Sequence, residues 1–343
     1  MGTGMLDRRF AARIWDLITT VLSLSCLVVG LILGTIAVAQ ADEPPTLRLA
    51  LLKFGTVNWE QNVIAHHQLA KDVKIEIIPL ANPQAGKIAL LGGSADAIVS
   101  DWLWVSRQRQ DGHAIGFAPY SKSVGALLVP EDSAIQTLAD LKGKTVGVVG
   151  GPLDKSWLVL SALALETEGL DLATETEVIS GAPPLLNKQM EAGELDAIVT
   201  YWHFAARLKA KGFRAVVSVP EAMTELGIGA AVPALGYVFT DAWAAAHPDA
   251  LAGFLRASQQ AKAILGSSDA EWERLRDLTK AKSDAELIAL RDGFREGIPQ
   301  GFGAAEQDAA AKFFAFLADL GGPQLVGPGD GLATGTFLPA TDG

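Results

Sequence analysis

Two stretches of the chain, "DAIVSDWLW" at Asp96–Trp104 and "DAIVTYWHF" at Asp196–Phe204, are nearly one phrase written twice. The echo continues on both sides. Set at an offset of one hundred, Gly93–Gly112 and Gly193–Gly212 agree at Gly, Asp, Ala, Ile, Val, Trp, Arg and Gly, with Ser100 against Thr200. Upstream, Pro83 in "ANPQAGK" falls opposite Pro183 in "GAPPLLN", and at an offset of 98 Trp59 falls opposite Trp157. Agreement at Trp, Pro, Gly and Asp together is hard to obtain by chance. A unit of about 60 residues has been duplicated.

The unit has a readable grammar. Leu47–Leu52 and Thr145–Val149 are short apolar runs that read as buried strands, each leading through a loop into a helical stretch. Second strands follow at Lys74–Pro79 and Glu177–Ser180. Next come a helix opened by the shared proline, the strands Asp96–Val99 and Asp196–Val199, and further helices with Ser100 or Thr200 at their caps. Strands alternating with helices predict an α/β protein of βαβ units with a mainly parallel, doubly wound sheet, present in two copies. "GFAPYSKSVGALLVP" (Gly116–Pro130) and "AVPALGYVFT" (Ala231–Thr240) break the pattern as extended, Gly- and Pro-marked runs, and read as paired crossover strands between two lobes. The predicted order is residues 42–124 in lobe one, 125–236 in lobe two, and 237–343 returning to lobe one as helices and a surface tail.

Ahead of these lies Arg8, Arg9 and Arg13, an apolar stretch from about Leu17 to Val38, and Ala39-Gln40-Ala41, the layout of a cleaved export signal over residues 1–41. A run of that length would also serve as an uncleaved anchor. Cys26, the only cysteine, lies inside it, so the remainder has neither a disulfide, a cysteine metal site nor a thiol nucleophile. At 343 residues and 49% hydrophobic, the chain can bury a core without such staples. The formal charge is −11, and loss of the signal's three arginines and two aspartates leaves −12, a surface that repels nucleic acid and anionic lipid.

"LADLKGKTVGVVGG" (Leu138–Gly151), "GGSADAIVSD" and "AGELDAIVTYW" closing each half, and "FTDAWAAAHPDALAGFLRAS" after the second crossover resemble the substrate-binding proteins of ABC importers for nitrate, taurine, sulfonates and thiamine precursors. The resemblance covers about Thr46 to Leu320. It implies a type II periplasmic binding protein of two hinged lobes, a monomer that captures a small-molecule ligand and passes it to a membrane permease and its ATPase. Hinge closure around ligands is the known behaviour of that class. One branch of the same fold instead makes the thiamine pyrimidine, using a histidine and an iron-binding, cysteine-rich stretch. His66 invites that alternative, and the lack of cysteine after residue 41 argues against it.

In open α/β sheets ligands bind beyond the carboxyl ends of the strands. The candidate ligand residues are therefore Lys53, Thr56, Asn58 and Trp59 after the first strand, and Ser100, Asp101 and Trp102 after the third. In lobe two they are Asp154, Lys155, Ser156 and Trp157, and Thr200, Tyr201 and Trp202. Each tryptophan has a second reading as strand packing. Asp101 and Tyr201 stand opposite one another in the repeat and differ, which marks them as candidates for opposite walls of one cleft. No catalytic residue, metal site or cofactor is predicted: "GKT" at Gly143–Thr145 lacks the P-loop glycine, there is no Gly-x-Ser-x-Gly, and the histidines lack metal-ligand spacing. The ligand stays open between an anion held by helix starts and lysines, a flat heteroaromatic or cation on the tryptophans, and a metal complex at Asp101, Asp154 and Glu60.

Overall fold

Short apolar runs and amphipathic stretches alternate along the chain, and the backbone follows them. The computed structural model describes residues 43–229 and 232–339. The export signal read at 1–41 lies outside the described residues. β1 (Thr46–Leu52), α1 (Val57–His66), β2 (Lys74–Leu80), α2 (Pro83–Leu91), β3 (Ala97–Ser100), α3 (Trp102–Gln110) and β4 (Ile115–Ser121) come first. The chain then crosses at residues 122–125. Beyond the crossing lie β5 (Ala126–Pro130), β6 (Thr145–Val149), α4 (Lys155–Glu168), α5 (Leu172–Glu175), β7 (Glu177–Gly181), α6 (Pro183–Glu191), β8 (Ala197–Thr200), α7 (Trp202–Lys209), β9 (Phe213–Ser218) and α8 (Val219–Glu225). It returns through β10 (Leu235–Thr240) to α9 (Asp241–Ala246), α10 (Pro248–Ser267), α11 (Asp269–Arg274), α12 (Arg276–Thr279), α13 (Asp284–Glu296) and α14 (Ala304–Val326).

Two five-stranded sheets result, in the orders β2-β1-β3-β10-β4 and β7-β6-β8-β5-β9. In each, four strands run parallel to one another and the fourth in order, β10 or β5, runs antiparallel to them. The fourth strand of each sheet is the one that has just arrived from the other lobe. The run Gly116–Pro130 is therefore two strands in two sheets, and β4 and β10 pair with each other in the first. Helices on both faces bury the parallel strands, so Leu47, Leu49, Ala97, Val146, Val148 and Ala197 are wholly enclosed.

The repeated residues do repeated jobs. The Asp96 carboxylate accepts the Arg48 N–H at 2.9 Å, and Asp196 accepts the Thr145 N–H at 2.8 Å, tying the start of β3 to β1 and the start of β8 to β6. Pro83 and Pro183 open α2 and α6, where a missing N–H costs nothing. Gly93 and Gly193 adopt φ of 73° and 74°, and Gly112 and Gly212 adopt 88° and 86°, a left-handed backbone that admits glycine without strain. One expectation is corrected here. Ser100 and Thr200 are the last residues of their strands, and the cap positions are Asp101 and Tyr201. Asp101 accepts the Trp104 N–H at 3.0 Å, whereas Tyr201 has no acceptor short enough to reach back.

The tail is stitched onto the first sheet by main-chain bonds. The Phe117 N–H donates to the Thr336 carbonyl and the Leu338 N–H to the Phe117 carbonyl, both at 2.9 Å. This strand-like run covers β4, which would otherwise leave its edge open.

Candidate functional site

A cavity of about 430 Å³ lies between the lobes. Lobe one supplies the loop before α1, the exposed corner of α2 and the start of α3. Lobe two supplies the starts of α4 and α7, and both crossings pass along the back. Gly125 is required there: a Cβ would run into the Thr200 carbonyl.

Nine of the residues named from the sequence line this cavity: Thr56, Ser100, Asp101, Trp102, Asp154, Lys155, Ser156, Tyr201 and Trp202. Lys53, Asn58, Trp59, Trp157 and Thr200 do not. Lys53 reaches outward, its ammonium 5.6 Å from the centre of the Phe54 ring. The Asn58 amide donates to the carbonyls of Leu52 at 2.9 Å and Gly55 at 3.0 Å, so it shapes the loop instead of facing a ligand. Thr200 is buried and donates to the Asn187 side chain at 3.2 Å. Trp59 packs edge-on to Trp272 at 5.6 Å, and Trp157 sits in the core of lobe two.

Even among the lining residues the aromatic expectation needs correction. Trp102 is 2% exposed and rests on Phe313 and Phe337, so it is a core residue whose edge reaches the cavity. Trp202 points away from its own lobe, meeting Trp59 at 6.0 Å and Phe294 at 6.5 Å. A Cβ on Gly293 would come within 3.0 Å of that indole, so the close approach of α13 depends on the glycine. Tyr201, by contrast, is 37% exposed and presents its phenol to the cleft. Glu60, considered as a metal ligand, is fully buried in lobe one with Lys262 at 2.5 Å and the Tyr237 hydroxyl at 2.8 Å.

Charge is arranged across the gap. Lys155 of lobe two stands 3.6 Å from the Asp101 carboxylate of lobe one. Burial alone would raise the Asp101 pKa, but Lys155, the Trp104 N–H and Lys87 outweigh it and hold the group below its usual value. Asp154 goes the other way. Burial raises its pKa, offset only in part by Lys155 and by the N–H groups of Trp157 and Ser156 that it caps. The Tyr201 hydroxyl is pushed up to about 12 by burial and by Asp154. His203, in the first turn of α7, is lowered to about 4 by burial and by Arg207, so it is neutral near pH 7, and its Nδ1 has no partner among the described residues.

Sequence reasoning missed Lys87, His203 and Phe54, and the apolar lining from Val124, Met223 and Phe313. Lys87 gives no local signal because a lysine on an amphipathic helix ordinarily reads as solvated surface. Phe313 is far along the chain and reaches the cavity only through the return of α14.

The NMT1/THI5-like family model matches residues 69–267. Among solved structures, the chain is similar to the alkanesulfonate-binding protein SsuA of Xanthomonas axonopodis pv. citri, bound to MOPS. There the identity is 21%, the TM-score 0.64, and the match covers 87% of this chain and 99% of that one. The periplasmic aliphatic sulphonate binding protein SsuA of Escherichia coli is also 21% identical, with a TM-score of 0.65 over 83% of this chain and 94% of that one. These likenesses show the shared fold. Among curated proteins, an ATP phosphoribosyltransferase of Desulfatibacillum aliphaticivorans is 25% identical over 179 residues, 50% of this chain and 57% of that protein. The chain spans about half the length of the curated relatives it matches.

Proposed function

The chain belongs to the NMT1/THI5-like family, and from that premise we propose that it is the extracytoplasmic solute-binding component of an ABC importer. It captures a small organic molecule between its lobes and delivers it to a membrane permease coupled to an ATPase. The observation that carries this reading is the Asp101–Lys155 contact across a cavity of about 430 Å³, since groups from both lobes meet around a space of ligand size. A ligand that touches both walls stabilises closure by as much as it prefers the closed form. The residues proposed to face it are Thr56, Ser100, Asp101, Asp154, Lys155, Ser156 and Tyr201, with Trp102 and Trp202 holding the walls behind them.

Residues 1–41 would direct export, and the location of the SsuA relatives, periplasmic by description in Escherichia coli, supports the same compartment. N-terminal sequencing of the exported form should start at Asp42. For the function itself, native mass spectrometry of protein purified from its host, followed by calorimetry with the molecule found, should give saturable binding at one site with the compound chemically unchanged. Turnover of the bound compound would instead make the chain an enzyme on this fold.

A further inference from the structure

Lys87 is the charged cleft residue without a counter-charge. It lies on α2 in the cavity wall, half-buried, its ammonium 4.9 Å from the centre of the Trp104 ring. Among the described residues no carboxylate or carbonyl holds it. Asp101, the nearest opposing influence, is already engaged by Lys155 and the Trp104 N–H. Burial lowers the Lys87 pKa; Asp101 opposes this, and Lys155 and Arg107 add to it. A partly desolvated ammonium without a counter-charge is a standing cost that an arriving anion relieves.

Three helix starts around the cleft are already closed by their own side chains, while those of α1 and α7 carry no side-chain cap. Asn82 takes the Ala85 N–H at the start of α2, Asp101 the Trp104 N–H at α3, and Asp154 the Ser156 and Trp157 N–H groups at α4. Two of these caps are carboxylates, which disfavour any anion at those two helix starts and leave the lysines as the place for its charge. The remaining lining is largely hydrocarbon: Leu52, Phe54, Val124, Met223 and Phe313. The cleft thus combines cationic donors at one place with apolar wall over the rest. Lys87 and Lys155 line the same cavity and each can donate to a carboxylate oxygen, and among the described lining residues there is no arginine to offer a planar fork.

We propose that the cleft takes an amphiphilic organic carboxylate, its head on Lys87 with Lys155 beside it and its apolar body over Phe54, Val124, Met223 and Phe313. This rests on the solute-binding reading above. A neutral molecule of the same shape would leave Lys87 without a partner, and an alkylammonium would meet it with like charge, so the discrimination lies in what is left unpaired.

The test is calorimetric titration of the full chain with octanoate, octane-1-sulfonate, octan-1-ol, octylamine, sulfate and nitrate. Octanoate should bind at least about tenfold tighter than octan-1-ol, octylamine, sulfate and nitrate, the scale of one charge-assisted contact, and measurably tighter than octane-1-sulfonate. Lys87→Met, which keeps the apolar stem, should weaken octanoate about tenfold or more with an unchanged thermal midpoint, while Lys71→Met on the exposed surface should leave octanoate affinity as it was. Octanol or octane-1-sulfonate binding as tightly as octanoate overturns the assignment, as does octanoate affinity surviving in Lys87→Met, or none of the octyl probes binding. Native mass spectrometry separates the two levels: a host-derived ligand without an acid group sinks the carboxylate and leaves the binding protein standing, whereas turnover of any probe removes the reading beneath it.

Discussion

The third strand and following helix of lobe one and their counterparts in lobe two begin alike and end differently. Asp96 and Asp196 each accept a main-chain N–H near the start of the neighbouring parallel strand. One position past the strand the copies part. Asp101 bonds back to its own helix and reaches Lys155 across the cleft, while Tyr201 leaves its helix start without a side-chain cap and exposes its phenol. Trp102 and Trp202 follow, identical in type and opposite in use. The first turns into its own lobe against Phe313 and Phe337; the second leaves its lobe to meet Trp59 and Phe294 of the other. Duplication preserved the groups that make a sheet. The neighbours brought by the returning helices decided what the same tryptophan does.

Truncation of the two tryptophans should separate these uses. Trp102→Ala removes an indole that is buried apart from the edge reaching the cavity and should cost about 3–5 kcal/mol of stability, read as the largest fall in thermal midpoint. Trp202→Ala removes a half-buried ring from a contact between lobes, so its fall in midpoint should be smaller, while small-angle scattering of the ligand-free protein should show a larger radius of gyration than wild type. Equal losses of midpoint with unchanged scattering would mean that both are plain core residues.

That difference also marks what could be learned from sequence. The two sheets were legible because their determinants are local: a proline that opens a helix, glycines at positive φ, and an aspartate at a strand start all repeat at a fixed offset. The region of the site was legible as well, since strand carboxyl ends in an open α/β sheet define it. The direction of each side chain was not. Trp59 and Trp157 lie in the first turns of their helices as Trp202 does in its own, yet one faces Trp272 and the other the core of lobe two, contacts made by segments more than a hundred residues away or by packing that no spacing encodes. Lys87 was silent for the same reason, because its loss of water depends on Trp104 and on the opposing lobe.

Tyr201 and His203 stand where lobe one has Asp101 and Leu103, and the histidine gives the comparison a pH axis. Its pKa falls from 6.5 to about 4 in the folded chain, through burial first and Arg207 second. The neutral form is therefore favoured by folding. Above pH 6.5 neither state binds the proton and nothing changes; as the pH falls from 6.5 toward 4 the unfolded chain takes up the proton first, and stability drops. The largest loss from this residue is on the order of 3 kcal/mol. Carboxylates with lowered pKa values, such as Asp101 and Glu271, lose stability on acidification too, mostly below that window. Denaturant unfolding of wild type and His203→Gln at pH 7, 6, 5 and 4.5 isolates the histidine. The variant should lose less stability between pH 6.5 and 4.5, and parallel curves for the two proteins would show that His203 carries no proton linkage.

The smallest effect concerns the aspartates that the two copies share. Both hold a strand N–H, but Asp96 is also gripped by the Arg48 guanidinium, Nε at 2.9 Å and Nη2 at 2.6 Å, while Asp196 has no such partner among the described residues. Burial works to raise the Asp96 pKa, and the Arg48 contacts overcome it and hold the group below its usual value. Arg48 is 39% exposed, and water and salt screen the pair, which limits its worth to about 1 kcal/mol or less. Asp196→Ala should then cost about 1–2 kcal/mol for the main-chain bond alone, and Asp96→Ala that amount plus the screened pair. A double-mutant cycle with Arg48→Ala measures the increment directly, and 0.5 M salt should shrink it. If Asp96→Ala and Asp196→Ala cost the same in low salt and the cycle gives zero, the arginine is ornamental, and the two copies are energetically the same scaffold up to the residue where Asp101 and Tyr201 divide them.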